Sequence, residues 1–179
     1  TLDSHSATTV LTSIGSSAKQ ITSLGNVGSL QRKTNIVLST GVGTSFSYGI
    51  QVGQGGFEMG NSSKIIGNAY SNGNIIGTNS ARIQGKAIAA GPNGIIEGMD
   101  IDGDAWSYTI RGISTVGGNA THSILQNTIV TGNVVADSIS DCAIGGTAKY
   151  DTRSSCAVTG ATTTPNPDAF VPADILPLP

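Results

Sequence analysis

The densest group of side chains able to do chemistry lies in Met99-Asp100-Ile101-Asp102-Gly103-Asp104-Ala105-Trp106-Ser107-Tyr108. Alternate residues of a strand share a face. Ile101 and Ala105 point inward on that pattern, so Asp100, Asp102 and Asp104 stand in one outward row that Trp106 and Tyr108 extend. Oxygen ligands at alternate positions suit a hard cation such as Ca²⁺. Clustered carboxylates with a basic partner suit polysaccharide cleavage. An outward Trp/Tyr pair suits a glycan or protein contact. The spacing does not complete an EF-hand loop, no neighbouring segment supplies a matching row of Asp, and Arg82, Arg111 and Arg153 are scattered. The carboxylates therefore read as a solvated acidic patch holding no metal. What remains is a partner contact made by Asp100, Asp102, Asp104, Trp106 and Tyr108, or the same face covered by one end of the chain.

Other reactive groups are few. His5 and His122 are the two histidines, and no carboxylate is placed to orient either as a base. His122 reads as a structural residue, inward or at a corner. No Gly-x-Ser-x-Gly elbow is present, and no Gly-x-Gly-x-x-Gly follows a strand and opens a helix. The expectation is a protein without catalytic residues or cofactor.

A repeat positions these residues. Ile66-Gly67-Asn68-Ala69, Gln84-Gly85-Lys86-Ala87, Asp102-Gly103-Asp104-Ala105 and Gly117-Gly118-Asn119-Ala120 share one template. Thr131-Gly132-Asn133-Val134 and Gly145-Gly146-Thr147-Ala148 continue it, and Thr159-Gly160-Ala161 closes it. The glycines are 18, 18, 15, 14, 14 and 14 residues apart. Units this short cannot bury an apolar face alone and must stack on their neighbours. The fold expected is all-β, a single parallel β-helix (β-solenoid) of 14–18-residue coils. Two residues after each glycine stands a small residue (Ala69, Ala87, Ala105, Ala120, Val134, Ala148), and two before stands Ile or Val. A third apolar position carries Ile75, Ile110, Leu125 and Ile139. The shortening period predicts a taper along the chain.

The same register governs the only two cysteines. Cys142 and Cys156 each follow a repeat glycine by ten residues. Stacked coils put equivalent positions about 4.8 Å apart, within the reach of a disulfide. Two cysteines alone do not make a zinc site. The expected bridge staples the last two coils and implies an oxidising, extracellular compartment.

Three regions follow. Residues 1–34 form an N-terminal cap segment, either a short amphipathic helix carrying Val10, Ile14, Ala18, Ile21 and Leu24 and stopped at Gly25, or an irregular cap. Residues 35–161 form the solenoid, opening with Ile36 and Leu38, then Phe46, Tyr48, Ile50 and Val52, then Phe57 and Met59, with turns at 41–43 and 53–56. Residues 162–179 form a Pro-rich tail or cap, with Phe170, Val171, Ile175 and Leu176 as its apolar anchors. With 9 Lys and Arg against 11 Asp and Glu in 179 residues, there is no basic footprint for nucleic acid and no polybasic membrane contact. No stretch is long and apolar enough to span a bilayer, and a chain that starts at Thr1 reads as a processed form or a fragment.

The phrases Phe46-Ser47-Tyr48-Gly49-Ile50-Gln51-Val52-Gly53, Tyr70-Ser71-Asn72-Gly73-Asn74-Ile75 and Gly103-Asp104-Ala105-Trp106 resemble secreted, pilin-like (PilX-like) bacterial surface proteins with a bactofilin-like β-solenoid. The ending from Pro165-Asn166-Pro167 to Pro177-Leu178-Pro179 resembles the segment after the solenoid in that family, so the likeness covers about residues 40–179. It implies a cell-surface or appendage role and carries over no catalytic residue. The function expected is an extracellular structural protein, subunit or decoration of a surface appendage, that associates with itself or with other subunits. The alternative is an adhesin-like module that binds a glycan or cell-surface partner through the Trp/Tyr/Asp face.

Overall fold

The computed structural model describes residues 5–14, 18–39, 48–78 and 80–177. The chain forms two compact units, Thr1–Gly43 and Thr44–Pro179.

The first unit is an antiparallel meander of β1 (His5–Ser13), β2 (Ala18–Val27) and β3 (Leu30–Ser39), where the apolar spacing predicts a helix. The apolar residues are interleaved with Thr8, Thr9, Thr12 and Thr22, whose branched Cβ is restricted in a helix and fits a pleated sheet. Leu11, Ile21 and Ile36 lie directly opposite one another across the three strands, a cross-strand row that a helix would break. Gly28, at φ +58°, turns β2 into β3. Ile36 and Leu38 therefore belong to this sheet rather than to the first coil. Phe46 and the turn at 41–43 lie outside the described residues.

The second unit is the expected parallel β-solenoid. One face is an eight-stranded sheet running from Ile50–Val52 to Thr162–Thr163, and the other two faces share a twelve-stranded sheet. Pairing places Ile50, Ala69, Ala87, Ala105, Ala120, Val134, Ala148 and Thr162 in one column, so successive turns take 19, 18, 18, 15, 14, 14 and 14 residues. A second column holds Ile65, Ile83, Ile101, Val116, Val130, Ile144 and Val158. The third holds Phe57, Ile75, Ile96, Ile110, Leu125, Ile139 and Arg153. Between the ends these aliphatic side chains are fully buried, each Val, Leu or Ile stabilising the stack by roughly 1.5–3 kcal/mol and each Ala by less. The step from the second column to the first is four residues in every coil. The longer turns spend their extra residues between the columns, in the exposed turn 60–63 and in the partly buried turn 90–94, so the shortening period comes out of the corners.

Close approach explains the repeat glycine from Gly85 onward, and at Gly67 the backbone, at φ +114°, requires it instead. A Cβ at Gly132 would sit 2.5 Å from the Gly118 carbonyl oxygen and 2.8 Å from Asn119 Oδ1 of the coil below. The next residue carries a ladder of its own. Asn68 Oδ1 accepts the Lys86 N–H at 2.9 Å, Asp104 Oδ1 that of Asn119 at 3.0 Å, Asn119 Oδ1 that of Asn133 at 2.9 Å and Asn133 Oδ1 that of Thr147 at 2.9 Å. These bonds occupy corner amides that the strand ladders do not use.

The last coil differs in two ways. Cys142 and Cys156 are joined, with Cα atoms 4.4 Å apart, as the stacking register requires. Arg153 replaces the aliphatic residue of the third column, and its guanidinium carbon lies 5.7 Å from the Tyr150 ring centroid. Arg153 is exposed on this last strand, and a charge on an edge strand opposes the addition of another strand.

Candidate functional site

The expected single row of Asp100, Asp102, Asp104, Trp106 and Tyr108 is broken by a corner: Asp100 lies on a strand of the twelve-stranded sheet, whereas Trp106 lies on the outward side of the eight-stranded sheet. Pairing stacks Gln51, Tyr70, Ile88, Trp106, Thr121, Val135 and Lys149 along it. One row toward the corner stand Asn68, Lys86, Asp104, Asn119 and Asn133, two residues earlier in each coil.

The Pro-rich tail runs lengthwise along this face, where apolar anchoring on the last coil was one expectation. Asn166 donates its N–H to Asp151 at 2.8 Å and its side-chain amide to the Ala136 carbonyl at 3.0 Å. Asp168 pairs with Lys149 at 2.6 Å. Phe170 meets Tyr108 edge to face at 6.0 Å between ring centres, and the Val171 carbonyl accepts the Trp106 indole N–H at 3.0 Å. Farther along, the Ala173 carbonyl accepts the Gly91 N–H, the Asp174 carbonyl accepts the Tyr70 hydroxyl, and Leu176 donates to Asn72 Oδ1 at 2.9 Å. Pro177 ends the path by accepting from the Gln51 amide at 3.3 Å. A proline-interrupted segment cannot extend a ladder, because each proline lacks an N–H. Its carbonyls are taken instead by the side chains of Trp106, Tyr70, Asn72 and Gln51 and by the Gly91 N–H.

This strap revises the predicted contact. Tyr108 is half-buried against Phe170. Asp102 is bound by Arg82 at 2.7 Å, and Asp104 by Lys86 at 2.8 Å, in both cases a cation from the preceding coil. Lys86 first, then the Asn119 amide, holds the Asp104 carboxyl below the ordinary carboxylate value, and Asp104 in turn raises Lys86. Asp100 is half-buried and faces Arg82 on the paired strand. Trp106 retains 38% of its surface and fronts an open groove of about 440 Å³ with Tyr48, Lys86, Asp104, Asn119 and Thr121. Of the five predicted residues, Trp106 and Asp104 line a common groove, while Tyr108, Asp100 and Asp102 do not. Tyr48, Lys86, Asn119 and Thr121 were missed, although the repeat register puts Lys86 and Asn119 level with Asp104.

Burial lifts Tyr70, edge to face with Tyr48 at 4.9 Å, to about 12, and Tyr48 and Asp174 add to the rise. His122 points inward, at the corner filled by Ala136 and Tyr150 in the next two coils. It is fully buried, and neither ring nitrogen has a hydrogen-bond partner among the described residues. Burial alone pulls it down to about 3, which leaves a neutral ring at ordinary pH.

Compared with protein-family models, curated proteins and solved structures, the chain matches none of them. What the fold defines is a class: a parallel β-solenoid with a disulfide across its last two coils.

Proposed function

We propose that the chain is an extracellular structural protein that builds or decorates a bacterial surface appendage. The observation that carries this reading is the seven-turn stack itself, stapled at one end by Cys142–Cys156 and strapped lengthwise by its own tail. Such a body is stiff along its axis, because every coil hydrogen-bonds its two neighbours. The disulfide supports an oxidising compartment, and the resemblance of residues 40–179 to pilin-like surface proteins supports the appendage. Arg153 in the third column favours a terminal or decorating position over end-on repetition through the last coil. The partners are other appendage subunits or further copies of the chain. Attachment falls to the N-terminal sheet, which exposes Leu11, Val27, Leu30 and Ile36 on one face and has β1 and β3 as its outer strands among the described residues.

Immunogold labelling of intact cells that make the protein tests this. Discrete label on surface appendages is expected; label that appears only after permeabilisation would remove the reading.

A further inference from the structure

The groove at Trp106 has the makings of a ligand site that does not depend on the scaffold role. The tail takes only the indole N–H, by the 3.0 Å bond to Val171, so the ring is pinned by its edge while 38% of the residue faces solvent. A side chain already fixed loses little freedom when something stacks on it. Around it stand Tyr48, Lys86, Asp104, Asn119 and Thr121. Asp104 is held on one oxygen by Lys86 at 2.8 Å and on the other by the Asn119 N–H at 3.0 Å, so the polar groups are pre-positioned. At about 440 Å³ the groove falls within the size of small-ligand sites.

The charges decide the ligand class. Lys86 and Asp104 neutralise each other, so the groove offers no net charge to an anion or a cation. It offers the exposed part of the Trp106 ring bordered by the Lys86 ammonium, the Asp104 carboxylate and the Thr121 hydroxyl, with Asn119 holding Asp104 in place. A pyranose matches that arrangement, with C–H groups over one face and hydroxyls around the rim. We propose that Trp106, Lys86, Asp104, Asn119, Thr121 and Tyr48 form a binding site for a neutral, pyranose-containing glycan. The binding face predicted from the sequence thus contracts to one groove that includes Trp106 and leaves out Tyr108, Asp100 and Asp102.

Trp106 is the only tryptophan, so intrinsic fluorescence reports the site directly. The full chain is titrated with tetrasaccharides of glucose, N-acetylglucosamine, galactose and mannose, with heparin as an anionic control. A saturable change in emission with at least one neutral tetrasaccharide is expected, with Kd on the order of 1 mM or tighter. Lys86→Ala, which removes an exposed side chain, weakens it about tenfold or more. Trp106→Ala, followed by calorimetry and checked by circular dichroism for folding, abolishes it. No response to any neutral tetrasaccharide, a response to heparin alone, or affinity unchanged in Lys86→Ala would each overturn the proposal.

Discussion

Lowering the pH from 7 to 4.5 should destabilise the solenoid chiefly through His122. Its ring is fully buried with both nitrogens unpartnered among the described residues, and burial moves it from 6.5 to about 3. The unfolded chain therefore takes up a proton near pH 6.5 that the folded chain refuses until about pH 3. Stability is full above pH 6.5 and declines as pH falls between those two values, by about 1.4 kcal/mol per pH unit. At pH 4.5 the loss is about 3 kcal/mol, and it levels off near 5 kcal/mol below pH 3. Asp104 acts in a separate window: its lowered carboxyl contributes stability above 3.8 that is lost as pH falls through the lowered value. Urea unfolding followed by circular dichroism at pH 7, 5.5 and 4.5 measures the slope. His122→Leu fills the site with an apolar side chain of similar length and removes two unpaired polar atoms, so it should be at least as stable at pH 7. It should also show a flat profile down to pH 4.5. A parent protein equally stable at pH 7 and 4.5, or a variant that keeps the parent's slope, would refute the reasoning.

Two glycines test the packing argument together. Gly132→Ala forces a Cβ to within 2.5 Å of the Gly118 carbonyl and should cost about 3 kcal/mol, while Gly55→Ala meets nothing within 4 Å and should leave the melting temperature nearly unchanged. Equal melting temperatures for the two variants would remove close approach as the reason for the repeat. Deleting residues 165–179 takes the Val171 and Asp174 carbonyls away from Trp106 and Tyr70. Tryptophan emission should then shift to the red, and the Tyr70 phenol should fall from about 12 toward 10 in an ultraviolet titration. Unchanged spectra would mean that the tail does not cover this face in solution.

The parts of the fold that read from the sequence are those that stacking makes periodic. Each coil must give the same type of side chain at the same register, so the glycines, the Ala and Ile columns and the Cys142–Cys156 pair were all visible as spacings. Two further signals lay in the same register unread. The Asn after Gly67, Gly118 and Gly132 builds the corner ladder, and Arg153, seven residues past Gly146, stands where Ile139 stands one coil earlier. The N-terminal sheet was hidden because Val10, Ile14, Ala18, Ile21 and Leu24 satisfy a helical spacing, while the Leu11–Ile21–Ile36 row exists only once three strands pair. The strap was hidden for a different reason. Its bonds join the tail to groups from 15 residues away (Asp151) to 126 residues away (Gln51), with no fixed spacing, and such contacts leave no local pattern.

The native thiol state and the fraction that holds the protein test the proposed stapled, surface-displayed scaffold most directly. Differential alkylation followed by mass spectrometry is applied to the protein from sheared surface appendages and from the cytoplasmic fraction of the same cells. The account predicts recovery in the appendage fraction, with Cys142 and Cys156 alkylated only after reduction. Recovery in the cytoplasm, with both thiols free before reduction, would contradict it.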